Sequence, residues 1–213
     1  MANTRQEIVE AAGAEFARHG YEGTSFSRVA AAMDKPKSAI GYHLFPSKQS
    51  LALAVVATQE ARWQSFDAAI DSPSGAQHWA TMLLASAKNA RACPVAAGSI
   101  RLLHELPLAE VSIDKSFDWR EYTRAQIRAE VEAQGRTAGP EVDGLADLLL
   151  DASFGVVYTA ADSEGADVES RLVALIEPIL TATGVTSARE LVAAAASHEL
   201  VAGGSGHDPA PAS

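Results

Sequence analysis

The 213-residue chain is 47% hydrophobic, carries a formal charge of −10 and holds few aromatics and one cysteine, Cys93; it can bury a sizeable core, and its abundant alanine and leucine with rare β-branched runs favour an all-α fold. A lone cysteine excludes a disulfide framework and a cysteine-rich zinc site, and reads as a small buried apolar residue in a reducing compartment. No run of about 18 apolar residues marks a membrane span, and the polar N-terminus lacks a signal-peptide core, so a cytoplasmic protein without a membrane partner is expected.

Residues 4–19 place Ile8, Ala12 and Phe16 on one helical face. Thr4 and Glu7 are spaced as a capping box, Gly20 is the stop, and Tyr21-Glu22-Gly23 reads as a turn. Thr24 or Ser25 caps a second helix through about Met33, with Phe26, Val29 and Ala30 as its buried stripe. Pro36 cannot continue that helix and biases Lys35 away from helical geometry. A third, short helix is expected over about 37–44, ended by Phe45-Pro46. Ser47 then caps a long fourth helix from Lys48 to about Ile70, with Leu51, Val55, Arg62, Phe66 and Ile70 at helical spacing and Trp63 beside them.

Further helices are expected over about 76–91, 95–105, 111–134, 141–162, 167–183 and 187–200. The 141–162 segment is apolar almost all round and should be buried on most sides. Residues 202–213 lack apolar anchors and are expected to be a disordered tail. The chain therefore divides into a head, 1–48, and a helical body, 49–201. The charge divides with it: the head balances at +1 and the remainder carries −11. A duplex would be repelled by the body and accepted only at the head.

Residues 25–44 have the helix, tight turn, helix form of a helix-turn-helix. The N-terminal residues of the second helix in such a motif reach base edges in the major groove. That places Lys37 and Ser38 there, where a lysine donates to guanine O6 or N7; their plain alternative is solvated surface. Tyr42 and His43 follow one turn later. Each either contacts DNA or packs inside the head, Tyr42 on the first helix and His43 under the fourth. Thr24, Ser25, Lys35 and Lys48 supply hydroxyls and cations suited to phosphate oxygens.

These residues also carry a resemblance. Thr24-Ser25-Phe26-Ser27-Arg28-Val29-Ala30, the turn, and Lys37-Ser38-Ala39-Ile40-Gly41-Tyr42-His43-Leu44-Phe45-Pro46-Ser47-Lys48 resemble the head of TetR-type repressors, and Ile8, Ala12, Phe16 and Gly20-Tyr21 resemble their first helix. The resemblance implies a three-helix DNA-binding head on a ligand-sensing, dimerising body, with Lys48 as a phosphate anchor. The chain departs from the pattern in three places: Asp34-Lys35 stand where Gly-Val is usual, Gly41 replaces an aromatic, and one extra residue precedes Pro46. Gly41 costs about 1 kcal/mol of helix propensity relative to alanine, which softens the recognition helix.

The body resembles the γ-butyrolactone-receptor group through Arg62-Trp63, Val95-Ala96-Ala97-Gly98-Ser99-Ile100-Arg101-Leu102, Trp119-Arg120 and Ser153-Phe154-Gly155-Val156-Val157. Trp119 offers a flat apolar face and an N–H to a small lactone; its other reading is a core or dimer tryptophan. Ser153, in the most apolar helix, needs a partner, either a ligand carbonyl or the backbone carbonyl four residues back. His104, Trp79 and Tyr158 complete the candidate effector contacts.

No catalysis, cofactor or metal is expected. His104-Glu105 lacks a following histidine at metal-binding spacing, Ser153-Phe154-Gly155 is no nucleophile elbow, and no phosphate-cradling glycine-rich loop occurs. The expected molecule is a homodimer in which 141–162 and 167–183 pair with their two-fold mates as a four-helix bundle. Its recognition helices would sit about 34 Å apart on a pseudo-palindromic operator in double-stranded DNA. A small hydrophobic effector, γ-butyrolactone-like by the resemblance, would release the DNA, with the fourth helix as lever. Two other readings stay open: a regulator of efflux or catabolism with an unrelated ligand, and a helical ligand-binding antirepressor whose altered head no longer binds DNA.

Overall fold

Side-chain caps fix the start of four helices in the computed structural model, which describes residues 2–40, 44–160 and 167–198. Helix α1 (Ala2–Gly23) begins two residues before the expected Thr4, so Thr4 lies in its first turn rather than capping it. Gly20 breaks α1 with φ 69°, ψ −177°, and Tyr21–Gly23 resume a helical turn beyond the kink. Ser25 caps α2 (Phe26–Ala32), accepting from the Arg28 N–H at 3.3 Å. A 3₁₀ turn, Lys37–Ile40, stands where the third helix was expected, and Gly41, Tyr42 and His43 lie outside the described residues. Ser47 and Ser50 form a reciprocal capping box at the head of α3 (Lys48–Ala69), with bonds of 3.0 and 3.1 Å.

The body continues with α4 (Ala76–Ala92), α5 (Pro94–Leu108), α6 (Trp119–Ala133), α7 (Pro140–Ala160), α8 (Val168–Ala182) and α9 (Ala188–Ala196). All described secondary structure is helical, so the all-α expectation stands. One boundary differs widely. The helix expected over 111–134 starts only at Trp119, because Asp118 caps it, accepting from the Arg120 and Glu121 N–H groups at 2.8 and 3.3 Å. Upstream, α5 is closed by Glu110 at φ 56°, with Val111 donating to the Leu106 carbonyl. This is a Schellman closure with a non-glycine residue in the left-handed position. Residues 109–118 therefore form an irregular strap between α5 and α6.

Two apolar clusters organise the molecule. The body cluster gathers Trp63, Trp79, Leu83, Trp119, Ile127, Leu149, Leu172, Ile176 and Leu180, among others. The head cluster gathers Ile8, Val9, Ala12, Phe16, Val29, Ile40, Phe45, Leu51 and Val55, and it also takes Val95, Leu102 and Leu106 from α5. The head's core is thus completed by a helix of the body, so the boundary proposed at residue 48 does not separate two independent cores.

Candidate functional site

The end of the head that carries the candidate DNA contacts is shaped by its turn. Asp34 takes φ 51°, Lys35 N–H donates to the Ala30 carbonyl at 3.0 Å, and Asp34 N–H to Ala31 at 3.1 Å. Aspartate is among the few residues that visit the left-handed region readily, so the usual glycine is dispensable here. Lys35 then reaches across to Glu7 on α1 at 2.8 Å, pinning the turn to the first helix.

The candidate DNA-contacting residues fall in different settings. Ser25, Lys35 and Ser38 are exposed. Thr24 is 3% exposed with its hydroxyl buried; it packs inside the head, and this corrects its expected role at a phosphate. Lys48 donates to the Tyr21 carbonyl at 2.9 Å, and its ammonium stands 4.3 Å from the centre of the Tyr21 ring. Burial, and secondarily the Glu22 charge, push the Tyr21 phenol above its ordinary pKa. Lys48 therefore staples α3 to the end of α1 within the chain. Tyr42 and His43 lie outside the described residues, and only the backbone of Lys37 is described.

Helix α5 serves both parts of the molecule. A Cβ added at Gly98 would overlap the Gly13 carbonyl oxygen, and one added at Gly13 would stand 2.7 Å from the Val95 Cα. The α1 and α5 backbones touch there, which only glycine permits. One turn further on, Arg101 donates to the carbonyls of Ala17 and Arg18 at 3.0 and 3.3 Å, capping α1 before its kink. Glu105 pairs with Arg101 at 2.7 Å and accepts from the Tyr21 N–H just after the kink. The opposite face of the same helix looks the other way.

That face, through Ile100, Leu103, His104 and Pro107, lines a cavity of about 470 Å³. Trp63, Phe117, Trp119, Leu150, Phe154 and Tyr158 supply the large apolar and aromatic side chains of the rest of the wall. Trp119 stacks edge-on against Trp63, Phe117 and Phe154 with centroids 5.4, 5.3 and 6.2 Å apart. The indole N–H groups of Trp63 and Trp119 are buried and have no acceptor. Burying a donor without a partner costs about 1–3 kcal/mol; both N–H groups are sealed from the cavity, so a ligand oxygen reaches them only if the surrounding rings part. A smaller, wholly apolar recess of about 20 Å³ adjoins, sharing Trp63, Ile100, Trp119 and Phe154.

Charges at the rim are paired. Arg120 holds Asp151 at 2.8 Å and Asp147 at 3.2 Å, and Lys115 stands 3.7 Å from Asp118. Arg120 begins a ladder between α6 and α7 that continues as Arg124 with Asp147 and Arg128 with Asp143, at 2.6 and 2.5 Å. Hydrogen bonds from Arg124 and Arg128 respectively hold the Asp147 and Asp143 carboxyls below the usual carboxylate range. For Asp118, burial works upward, but the Glu121 and Arg120 N–H groups and Lys115 outweigh it, and its pKa falls.

Of the candidate effector contacts, Trp119, His104 and Tyr158 come together at this cavity, with the His104 and Tyr158 rings 5.1 Å apart. Two do not. Trp79 is fully buried and donates to Thr123 Oγ1 at 2.9 Å. Ser153 is fully buried and donates to the Leu149 carbonyl at 2.7 Å, which is the backbone alternative weighed above. Both are satisfied core groups. Sequence reading missed Trp63 and Phe117 as wall residues, although Trp63's place beside the periodic face of α3 was visible. Cys93 is half-buried rather than fully buried, and its sulfur accepts from Arg62 at 2.8 Å.

The pattern of bacterial regulatory proteins of the tetR family matches residues 8–55 of the chain. A solved structure described as the molecular basis for control of antibiotic production by bacterial hormones is 30% identical, with TM-score 0.70, over 85% of this chain and 98% of its own. The chain belongs to the tetR family. Among curated tetR-type relatives, the transcriptional repressor AcnR of Corynebacterium glutamicum is 45% identical over 60 residues, 28% of this chain and 31% of its own length. The likeness to that repressor thus spans under a third of its length. A γ-butyrolactone receptor (ArpA-like protein) shares the fold at TM-score 0.72 and 23% identity, over 92% of this chain and 96% of its own. Among the described residues no helix is long and apolar enough to cross a membrane.

Proposed function

We propose that this tetR-family protein is a homodimeric repressor that binds a pseudo-palindromic operator and is released by a small hydrophobic effector of the γ-butyrolactone type. The observation that carries the reading is the double duty of α5: one face walls the aromatic cavity and the other completes the head's core and caps α1. A ligand that favours a different α5 position shifts the head only by its differential affinity for the two arrangements. This moves the main coupling route from α3, as expected from sequence, to α5 and α1. Among the described residues the charges at the rim are paired, which favours an uncharged effector, and the 30% identical relative connected with bacterial hormones supports a diffusible signal. The test is footprinting of the DNA upstream of the gene, with and without a synthetic γ-butyrolactone. Protection that persists at saturating lactone would defeat the effector class, and absence of protection would defeat DNA binding.

Dimerisation is proposed through α7 and α8. Leu148 is 55% exposed on α7, and Leu145, Leu175 and Ile179 are only partly covered. Such a face on a soluble chain is rare without a partner. Leu148→Asp is expected to convert the dimer to monomers in light scattering at micromolar concentration; a dimer retained by the variant argues against this face.

Lys37→Ala and Lys48→Ala are both expected to weaken DNA binding, for different reasons. Lys37→Ala should cost about 1–3 kcal/mol and relax specificity at one base pair. Lys48→Ala should weaken all sequences alike and lower the melting temperature, since Lys48 also joins α3 to Tyr21. Gel shifts at fixed salt together with thermal melts separate the two; full affinity in both variants would remove the proposed head contacts.

A further inference from the structure

Residues 109–118 have a structure that the helix pattern of the sequence does not account for. The strap leaves α5 at Leu108 and contributes Ile113, Lys115, Phe117 and Asp118 to the wall of the cavity. Its polar hold on the body is concentrated in one residue. Glu60 accepts from both the N–H and the hydroxyl of Ser116, at 3.0 and 2.7 Å, and Gln64 donates to the Ser116 carbonyl at 2.9 Å. Glu60 and Gln64 are one turn apart on α3, the helix that begins at the head.

Glu60 is 2% exposed, and its other carboxylate oxygen is buried without a partner. Among the described residues no basic group pairs with it. The carboxylate is therefore held by Ser116 alone. When the strap lifts, the Glu60 carboxylate on α3 loses both donors that Ser116 supplies and takes water in their place.

We infer that the 109–118 strap is a lid on the cavity, and that Glu60 is a positioning residue that latches it to α3 through Ser116. Phe117 closes the aromatic wall against Trp63 and Trp119, so an effector reaching those indoles displaces the strap and frees the latch. The state of the lid then reaches α3 directly, in addition to the α5 route. The inference rests on the cavity being the effector site.

The test uses the full chain and Nile red, a neutral apolar dye, as the cavity probe. Ser116 is exposed, so Ser116→Ala leaves the core intact. It removes one of the two donors to Glu60 and is expected to speed dye association by about tenfold, the effect of one hydrogen bond to a charged acceptor. Ser116→Thr keeps both donors and should restore the wild-type rate. Amide hydrogen exchange should show the dye raising exchange in 109–118 and in α3 together in the wild type, with a smaller α3 response in Ser116→Ala, which keeps only the backbone bonds to Glu60 and Gln64. Equal dye rates in all three proteins, failure of Ser116→Thr to restore the rate, or an α3 that does not respond in the wild type would each overturn the lid while leaving the cavity reading intact. A protein that takes up no dye in any form would overturn the cavity reading, and the lid with it.

Discussion

Gly98→Ala is expected to melt about 6–12 °C below the wild type in a circular-dichroism thermal scan. The added methyl would collide with the Gly13 carbonyl oxygen and sit 3.1 Å from the Gly13 Cα. The neighbour is backbone, which cannot rotate away as a side-chain end could. Overpacking a well-packed contact costs about 1–3 kcal/mol, and the upper end applies here because two helices must part. In a chain of this size each 1 kcal/mol shifts the midpoint by about 2–4 °C. Separation of α1 from α5 also withdraws Val95 from Gly13 and loosens Arg101 from the end of α1, so operator affinity should fall with stability. Gly144→Ala is the control. Gly144 lies in α7 with nothing within 4 Å of an added Cβ, and alanine is the better helix former by about 1 kcal/mol. It should melt at or above the wild type. A Gly98→Ala protein melting within about 2 °C of the wild type would show that α1 and α5 are not locked at this crossing.

That crossing was invisible in the sequence, and the reason is general. Caps and stops are local: Ser25, Ser47 and Gly20 act on residues within four positions, and each was read where it acts. The helix-turn-helix was legible for the same reason. The third helix was only partly so, because the described part is a single 3₁₀ turn. The strap was missed because its signals are weak ones. Asp118 with Glu121 three residues on has capping-box spacing, but Glu110 in a left-handed closure replaces the glycine that would have advertised the end of α5. Partners across the fold were not legible at all. Nothing in the chain near Trp79 announces Thr123, and nothing near Ser116 announces Glu60. Sequence could name Trp119 as an aromatic with an N–H to satisfy; only packing shows that Trp79 has met the same need internally and Trp119 has not.

That contrast gives the second large effect. Trp119→Phe is expected to raise the effector concentration needed for half-release of DNA by about tenfold, with operator affinity unchanged in its absence. The substitution keeps an aromatic ring against Trp63, Phe117 and Phe154 and deletes the indole N–H. Trp119 is 7% exposed, so truncation to alanine would cost about 3–5 kcal/mol of packing and confuse loss of fold with loss of response. With phenylalanine, removal of an unpartnered buried donor, worth about 1–3 kcal/mol, offsets the smaller ring, and stability should stay within about 1 kcal/mol of the wild type. On the ligand side one hydrogen bond of about 0.5–1.5 kcal/mol is lost, together with part of the ring contact. Trp79→Phe should behave in the opposite sense. Its N–H is accepted by Thr123, so the variant leaves the Thr123 oxygen without its donor, lowers stability and leaves the half-release concentration where it was. The two variants share a chemistry and differ only in whether the indole N–H was already bonded. A gel-shift titration with a γ-butyrolactone separates them, and an unchanged midpoint for Trp119→Phe would show that the cavity's unpaired indole is not where the effector's oxygen is received.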